Sequence, residues 1–159
     1  MKIDLASLSL LPMQPADVDE VVAIEQAVYS HPWSRGNFVD SLKLGYDAWL
    51  VRNPEGVLLG YFVQMPVVDE AHLLTIAVLA QAQKQGIARL LLNHLLERAR
   101  AMGMDSILLE VRVSNQRAIS VYEAFGFALV GRRKAYYQVS PTEREDALML
   151  RYILDRSAA

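Results

Sequence analysis

One amphipathic segment constrains the fold of this chain more than any other stretch. From Gly86 to Gly103, the sequence GIARLLLNHLLERARAMG repeats small and apolar residues at helical spacing, with charged residues between them. Gly103 is a typical residue at the end of such a helix. The apolar positions are Ala88, Leu91, Leu92, Leu95, Ala99 and Met102. This segment gives the strongest helix prediction in the chain.

Before this helix, the sequence predicts two shorter helices and four strands. LSLLPM predicts a first strand, and valines at near-helical spacing over residues 16–29 predict a first helix. Ser34 is a suitable N-cap for a second helix, with Trp33 and Phe38 on either side of the cap as a hydrophobic staple. Two apolar stretches around the turn sequence NPEG predict a β-hairpin, and AHLLTIAVL predicts the next strand.

After the long helix, the pattern alternates between strands and one short helix. SILLEVRV alternates as a strand does, and NQRAISVYEAFGF predicts a helix that is closed by Gly126. FALVGRRKAYY and ALMLRYIL predict two last strands, which enclose the loop VSPTERED. No repeat or low-complexity linker interrupts the chain. We therefore expect one α/β domain over residues 1–159, built on a mixed sheet.

Charge and residue usage exclude several kinds of function. The 16 basic and 18 acidic residues leave a net charge of −2, which gives no electrostatic reason for non-specific binding to nucleic acid. Cysteine is absent, so disulfides and thiolate chemistry are excluded, and His31, His72 and His94 lie too far apart to suggest a metal site. No stretch approaches the roughly 20 apolar residues of a membrane span, and we expect a cytoplasmic protein.

The turn before the long helix has the features of an anion-binding site. In QKQGIA, Gly86 and Ala88 allow a ligand to approach the main chain closely. The first N–H groups of the helix and the positive end of its dipole attract negative charge, so we expect a ligand that carries phosphate. The spacing matches neither GxGxxG nor GxxxxGK[ST]. An ordinary tight turn between a strand and a helix is the alternative interpretation.

The same turn matches the Q/R-x-x-G-x-G/A signature of the GNAT acetyltransferases, with Ala88 where many members have a second glycine. LLEVRVSNQRAISVYEAFGF resembles the strand, turn and helix that follow this signature in the superfamily. HPWS, LLTIAV, QKQGIARLLL, YEAFGF, RRKAYY and REDALMLR resemble, in this order, bacterial ribosomal-protein alanine N-acetyltransferases. The resemblance covers residues 10–153. It implies a GNAT fold, in which about four helices flank a mixed, mostly antiparallel central sheet.

The resemblance implies that acetyl-CoA is the cosubstrate and that no metal is required. Main-chain groups of Ile76, Ala77 and Val78 correspond to the strand that binds the pantetheine arm. Asn115 corresponds to a further contact with CoA, although a helix N-cap explains this residue nearly as well. The pyrophosphate loop corresponds to Lys84, Gln85, Gly86, Ile87, Ala88 and Arg89.

The resemblance also implies two catalytic residues. Glu110 corresponds to the proton acceptor, acting directly or through water, and Tyr122 to the proton donor for the departing thiolate. The alternatives are an ion pair for Glu110, with Arg112 or with a neighbouring strand, and a core position for Tyr122. An α-amine has a reference pKa of ~7.8 and a lysine ~10.4, so the α-amine is neutral roughly 400 times more often at pH 7. An N-terminal substrate therefore needs only modest help from a base.

On the acceptor side, Trp33, Tyr136 and Tyr137 resemble the walls that receive a peptide, with simple packing as the alternative. The implied reaction is direct transfer, in a ternary complex, of acetyl to the N-terminal alanine of a small-subunit ribosomal protein, number eighteen. We expect a monomer with no direct nucleic-acid or membrane partner. Two alternatives stay open: a GNAT enzyme for lysine side chains or small-molecule amines, and a non-catalytic regulator that binds acyl-CoA.

Overall fold

Seven strands and four α-helices are present in residues 1–155, the part of the chain that this computed structural model describes. The strands are β1 (Ser9–Pro12), β2 (Asp47–Arg52), β3 (Leu58–Val67), β4 (Glu70–Val78), β5 (Ser106–Arg112), β6 (Ala128–Gln138) and β7 (Arg144–Ile153). The helices are α1 (Val18–Val28), α2 (Arg35–Lys43), α3 (Ile87–Ala101) and α4 (Gln116–Phe125). The predicted α/β class, with a mixed sheet and four helices, is confirmed. Within the same residues, no helix is both long and apolar enough to span a bilayer.

The strands follow the order β1-β2-β3-β4-β5-β7-β6. β4 and β5 pair in parallel, whereas β1–β2, β2–β3, β5–β7 and β6–β7 are antiparallel. The chain forms two compact units: the first comprises Met1–Met65 and Leu74–Arg98, and the second comprises Pro66–Leu73 and the chain from Ala99 onward. β4 therefore contributes residues to both units. The single domain expected over residues 1–159 stays a prediction.

In the first unit, α3 packs its apolar face into the core as its sequence predicts. Gly60 on β3 makes a close approach possible, because a Cβ atom there would lie 2.8 Å from the Ala77 carbonyl oxygen and 3.0 Å from Leu91 Cδ1. A larger residue at position 60 would push against the main chain of β4 as well as against α3. The buried leucines of the helix are Leu91, Leu92, Leu95 and Leu96.

The predicted start of α2 is confirmed in detail. The Ser34 side chain accepts a hydrogen bond from the Asn37 N–H at 3.1 Å, as an N-cap does. The rings of Trp33 and Phe38 meet edge to face, with 5.2 Å between their centroids, so the hydrophobic staple is also formed. This packing fixes the direction in which the chain enters α2.

A buried carboxylate lies at the centre of the first unit. Glu25 is only 2% exposed, although it is charged at neutral pH in water. Its two oxygens accept hydrogen bonds from the Trp33 N–H at 3.0 Å, the Tyr61 hydroxyl at 2.8 Å and the Thr75 hydroxyl at 3.0 Å. These donors offset the cost of removing the carboxylate from water, and they join α1 to β3, to β4 and to the chain that leads into α2.

In the second unit, a partly buried ion pair joins three strands. Glu70 of β4 accepts hydrogen bonds from Arg151 Nε of β7 at 2.7 Å and from the Ser106 hydroxyl of β5 at 2.6 Å. The Arg151 guanidinium, and then the Ser106 hydroxyl, lower the pKa of Glu70 despite partial burial. The stability that this ionised carboxylate contributes is therefore present above its ordinary pKa and is lost as the pH falls.

β7 begins at Arg144, three residues before the stretch that the sequence predicts, so the predicted loop is shorter. Two carboxylates in this early part of the strand pair with arginines of its neighbours. Glu145 lies 3.0 Å from Arg112 on β5, and Asp146 lies 2.5 Å from Arg132 on β6. Polar side chains that typically indicate a loop are here paired across strands.

We expect Glu25→Ala to lower the free energy of unfolding by about 3 kcal/mol, because three donors lose their acceptor. Thr75→Val removes one donor and should cost only about 1 kcal/mol. Urea unfolding at pH 7, followed by tryptophan fluorescence, measures both values. Asp19→Ala, on the exposed side of the same helix, is the control and should change stability by less than about 0.5 kcal/mol. Equal losses for Glu25→Ala and Thr75→Val would contradict this account of the network.

Candidate active site

The connection from β4 to α3, which the sequence predicts as a pyrophosphate loop, is an exposed turn with unusual backbone angles. Lys84 and Gly86 both have left-handed conformations, with φ of 62° and 93°. The Leu90 N–H donates to the Gly86 carbonyl at 3.0 Å, which begins the hydrogen-bond ladder of α3. The N–H groups of the three residues between them therefore have no acceptor within the helix. With no acidic residue in the first turn of α3, these N–H groups and the helix dipole favour an anion.

Two side chains hold the strand that precedes this loop. Ile76, Ala77 and Val78 are each at most 9% exposed. The Tyr29 hydroxyl donates to the Ile76 carbonyl, and Gln83 Nε2 donates to the Val78 carbonyl at 3.1 Å. Neither role was predicted from the sequence. Gln83 could have been found, since it occupies the Q/R position of the signature, but no local pattern connects Tyr29 with a strand 47 residues away.

Trp33 belongs to the same unit, where two of its contacts are structural. Its ring packs against Phe38, and its main-chain N–H donates to Glu25. The packing that the sequence offered as an alternative is therefore observed. A role in receiving a peptide stays a prediction for this residue.

In the second unit, Glu110 lies on β5 beside a cation. Its side chain is 25% exposed, and its Oε1 atom lies 3.1 Å from Nε of Arg133 on β6. Met149 of β7 pairs with both Glu110 and Gly131, so the ion pair passes across the strand between β5 and β6. Arg112, the other partner that the sequence allowed, pairs with Glu145 instead. The carboxylate thus has a local counter-ion, and its role as proton acceptor stays a prediction.

Tyr122 lies on α4 in an apolar setting. It is 9% exposed, and its ring meets Phe127 edge to face, with 5.7 Å between the centroids. Burial, and to a smaller extent the charge of Tyr137, raises the pKa of Tyr122 above that of an ordinary phenol. The hydroxyl therefore keeps its proton throughout the neutral range.

Asn115 caps the helix that carries Tyr122. Its side-chain oxygen accepts a hydrogen bond from the Ala118 N–H at 3.3 Å. The N-cap that the sequence offered as an alternative is therefore present. A further contact between Asn115 and CoA stays a prediction.

Tyr136 and Tyr137 lie on β6 under two arginines. Arg112 Cζ is 4.4 Å from the centroid of the Tyr137 ring, and Arg133 Cζ is 5.3 Å from that of Tyr136. Burial, and then the charge of Glu110, raises the pKa of Tyr137 to about 12. Tyr136 is 46% exposed and keeps a free aromatic surface.

An irregularity in β6 sets the position of these tyrosines. The pairing with β7 shifts between Arg133 and Tyr137, and Ala135 has a left-handed φ of 50°. The Ala135 N–H donates to Asp146 Oδ1 at 2.8 Å, which supports the bend. This hydrogen bond, followed by that of Arg132, lowers the pKa of Asp146.

The second unit thus brings four of the predicted site residues into one electrostatic neighbourhood. Burial is the main cause of the raised pKa of Tyr122 and of Tyr137, and in addition Glu110 raises the pKa of Tyr137 and Tyr137 raises that of Tyr122. The exposed Tyr136 packs against Tyr137, with 5.1 Å between ring centroids. Such an arrangement offers one carboxylate beside a cation, one buried proton donor and an exposed aromatic surface.

His94, a histidine of the first unit, takes part in packing. His94 meets Trp49 edge to face, with 4.4 Å between the ring centroids. Burial lowers the pKa of His94. Among residues 1–155, no three His, Asp or Glu side chains form a group that could hold a metal ion.

Comparisons with known proteins identify the family and the fold of this chain. Residues 18–127 match the model of the acetyltransferase (GNAT) family. The ribosomal protein bS18-alanine N-acetyltransferase of Escherichia coli strain K12 is 34% identical over 139 residues, which are 87% of this chain and 92% of that protein. The crystal structure of the ribosomal-protein-S18-alanine N-acetyltransferase from Escherichia coli matches with a TM-score of 0.84 and 30% identity, over 93% of this chain and 94% of that one.

A more distant solved structure shares the fold. It is yncA from Salmonella typhimurium, determined with its cofactor acetyl-CoA. The TM-score is 0.75 at 19% identity, and the match covers 96% of this chain and 97% of that one. The resemblance and the type of fold that the sequence predicts are confirmed by these matches.

Proposed function

Because this chain belongs to the acetyltransferase (GNAT) family, we propose that it transfers acetyl from acetyl-CoA to the N-terminal α-amine of ribosomal protein S18, at an alanine. The proposed substrate rests on the 34% identity, over 87% of this chain, to the ribosomal protein bS18-alanine N-acetyltransferase of Escherichia coli. The partner is then the N-terminal peptide of a ribosomal protein. We infer that the protein acts as a monomer in the cytoplasm.

The described residues fit the diphosphate of acetyl-CoA. The main chain at Gly86 is exposed, and the N–H groups of Ile87 and Ala88 stand at the positive end of α3. Lys84 and Arg89 are exposed on the same turn and can add positive charge. Main-chain groups of Ile76–Val78 are assigned to the pantetheine arm. When bound, acetyl-CoA supplies an acetyl group that is activated as a thioester.

Glu110 is assigned to the amine. As the nitrogen forms its bond to the acetyl carbon, the carboxylate accepts the proton that the amine loses, directly or through water. Arg133 neutralises part of the charge on Glu110 before substrate arrives. A substrate ammonium can take over that interaction, because the guanidinium is half exposed and can turn into solvent.

Tyr122 is assigned to the leaving group. When the carbon–sulfur bond breaks, its hydroxyl donates a proton to the sulfur, so that free CoA thiol leaves. Burial keeps this proton in place until it is needed but also makes the phenol a weaker acid. The transfer therefore requires that the thiolate also form in a dry setting, where it is a stronger base than in water.

A peptide panel tests the substrate. Peptides with the N-terminal sequence of S18 and a free alanine should be acetylated, and the rate should rise with pH through the α-amine pKa of ~7.8. The matched control is the same peptide with a blocked N-terminus and an internal lysine, which should stay unmodified. Mass spectrometry and release of CoA thiol are the measurements. Exclusive lysine acetylation would indicate the alternative enzyme, and acetyl-CoA binding without thiol release would indicate a regulator.

Tyr122→Phe should lower kcat by about 100-fold, because general acid catalysis typically contributes this much. The affinity for acetyl-CoA, measured by calorimetry, should change less than about twofold, since only the hydroxyl is removed. Tyr152→Phe is the control, because Tyr152 packs against the same Phe127 with 5.5 Å between the ring centroids. An unchanged kcat in Tyr122→Phe would rule out the assigned proton donor.

Glu110→Gln should lower kcat/KM for the peptide most strongly at low pH. At pH 6.5 most α-amines carry a proton that a base must remove, so we expect a loss of about 100-fold, which shrinks to about tenfold at pH 9. Glu145→Gln is the matched control, since this carboxylate of the same unit is also paired with an arginine. A loss of the same size at every pH would show that Glu110 positions the substrate without accepting its proton.

A further inference from the structure

The first residues of the chain lie against the predicted pyrophosphate loop. We call Met1–Ser7 the N-terminal strap. Gln85 lies in the middle of the loop, and both polar atoms of its carboxamide bond to the first residues of the strap. Its Oε1 accepts a hydrogen bond from the Ile3 N–H at 2.9 Å, and its Nε2 donates one to the Met1 carbonyl at 2.7 Å. One side chain thus pairs with the main chain of the strap as a neighbouring strand would.

A second contact joins the strap to the loop. Leu5 Cδ1 lies only 3.0 Å from the point that a Cβ atom of Gly86 would occupy, so the leucine packs against that side of the glycine, which is otherwise exposed. Leu5 begins a short 3-10 turn that Asp4 caps through the Ala6 N–H at 3.2 Å. The strap therefore has a defined local structure where it meets the loop.

The loop has a conformation that needs support. Gln85 lies between Lys84 and Gly86, which both have left-handed backbones. Glycine adopts this conformation freely, whereas a lysine that adopts it is strained. The two hydrogen bonds to the strap fix Gln85 and thereby restrain both of its neighbours. They use the side chain of Gln85, so they leave the main-chain N–H groups at the start of α3 available to a ligand.

We propose that the N-terminal strap, held through Gln85, preorganises the pyrophosphate loop and so strengthens the binding of acetyl-CoA. Gln85 is then a positioning residue that acts on the diphosphate through the loop. This inference rests on the proposed function for the identity of the ligand. The strap lies outside residues 18–127, the span that matches the family model, so the family match does not account for this contact.

Gln85→Ala tests the proposal, with Gln81→Ala as the control on an exposed glutamine of the same connection. Calorimetry with acetyl-CoA should show about tenfold weaker binding for Gln85→Ala, the effect of losing two partly exposed hydrogen bonds, and no change for the control. Hydrogen exchange without ligand should be faster at the amides of residues 84–89 in Gln85→Ala. S-acetylpantetheine, which lacks the diphosphate, should be used with the same kcat/KM by Gln85→Ala and the wild type.

Leu5→Ala removes the contact between the strap and Gly86. Like Gln85→Ala, it should weaken acetyl-CoA binding and speed hydrogen exchange in the loop. Unchanged affinity and unchanged exchange in both variants would overturn the proposal. Tighter binding would also overturn it, since the strap would then obstruct the loop. If the wild type itself failed to bind acetyl-CoA, the proposed function would fall, while faster exchange in Gln85→Ala would still establish that the strap restrains the loop.

Discussion

The carboxylate of Glu25 is the interaction on which the first unit depends. It accepts hydrogen bonds from three neutral donors: Tyr61 on β3, Thr75 on β4 and the Trp33 N–H in the chain before α2. Thr75 directly precedes the strand residues assigned to the pantetheine arm, and Trp33 belongs to the segment assigned to the peptide. The same buried group therefore fixes one element of each proposed binding region, at the cost of removing a charge from water.

The two proposed catalytic groups of the second unit have opposite surroundings. Glu110 stays partly open to solvent and next to a guanidinium, so it can exchange one cation for another. Tyr122 is buried against the ring of Phe127, and this burial raises its pKa and so keeps its proton in place. A carboxylate in a polar setting and a phenol in a dry one are groups whose surroundings suit the two different roles proposed for them.

Much of this fold could be predicted from the sequence, because its signals are local. The period of α3, the cap at Ser34 and the turn sequence NPEG each determine structure within a few residues. Glu25 was missed although a signal existed: it lies four residues after Val21 and seven after Val18, on the apolar face of α1.

Other parts of the site could not be predicted, because they depend on strand register. Alternation shows which residues share a face of a strand, but not which strand lies beside it. The pairing of Glu110 with Arg133 requires β7 to lie between β5 and β6, and the bond from Tyr29 to Ile76 joins residues far apart in the chain. No local sequence pattern predicts either contact.

The geometry of α4 has a consequence for how this sequence can change over evolutionary time. The cap at Asn115 and the phenol of Tyr122 are seven residues apart, about two helical turns, so both lie on nearly the same side of the axis. Exchanging one intervening residue for another leaves this phase intact, whereas inserting or deleting one would rotate the phenol by about 100°. This segment can therefore accept substitutions between the two residues, but not insertions or deletions.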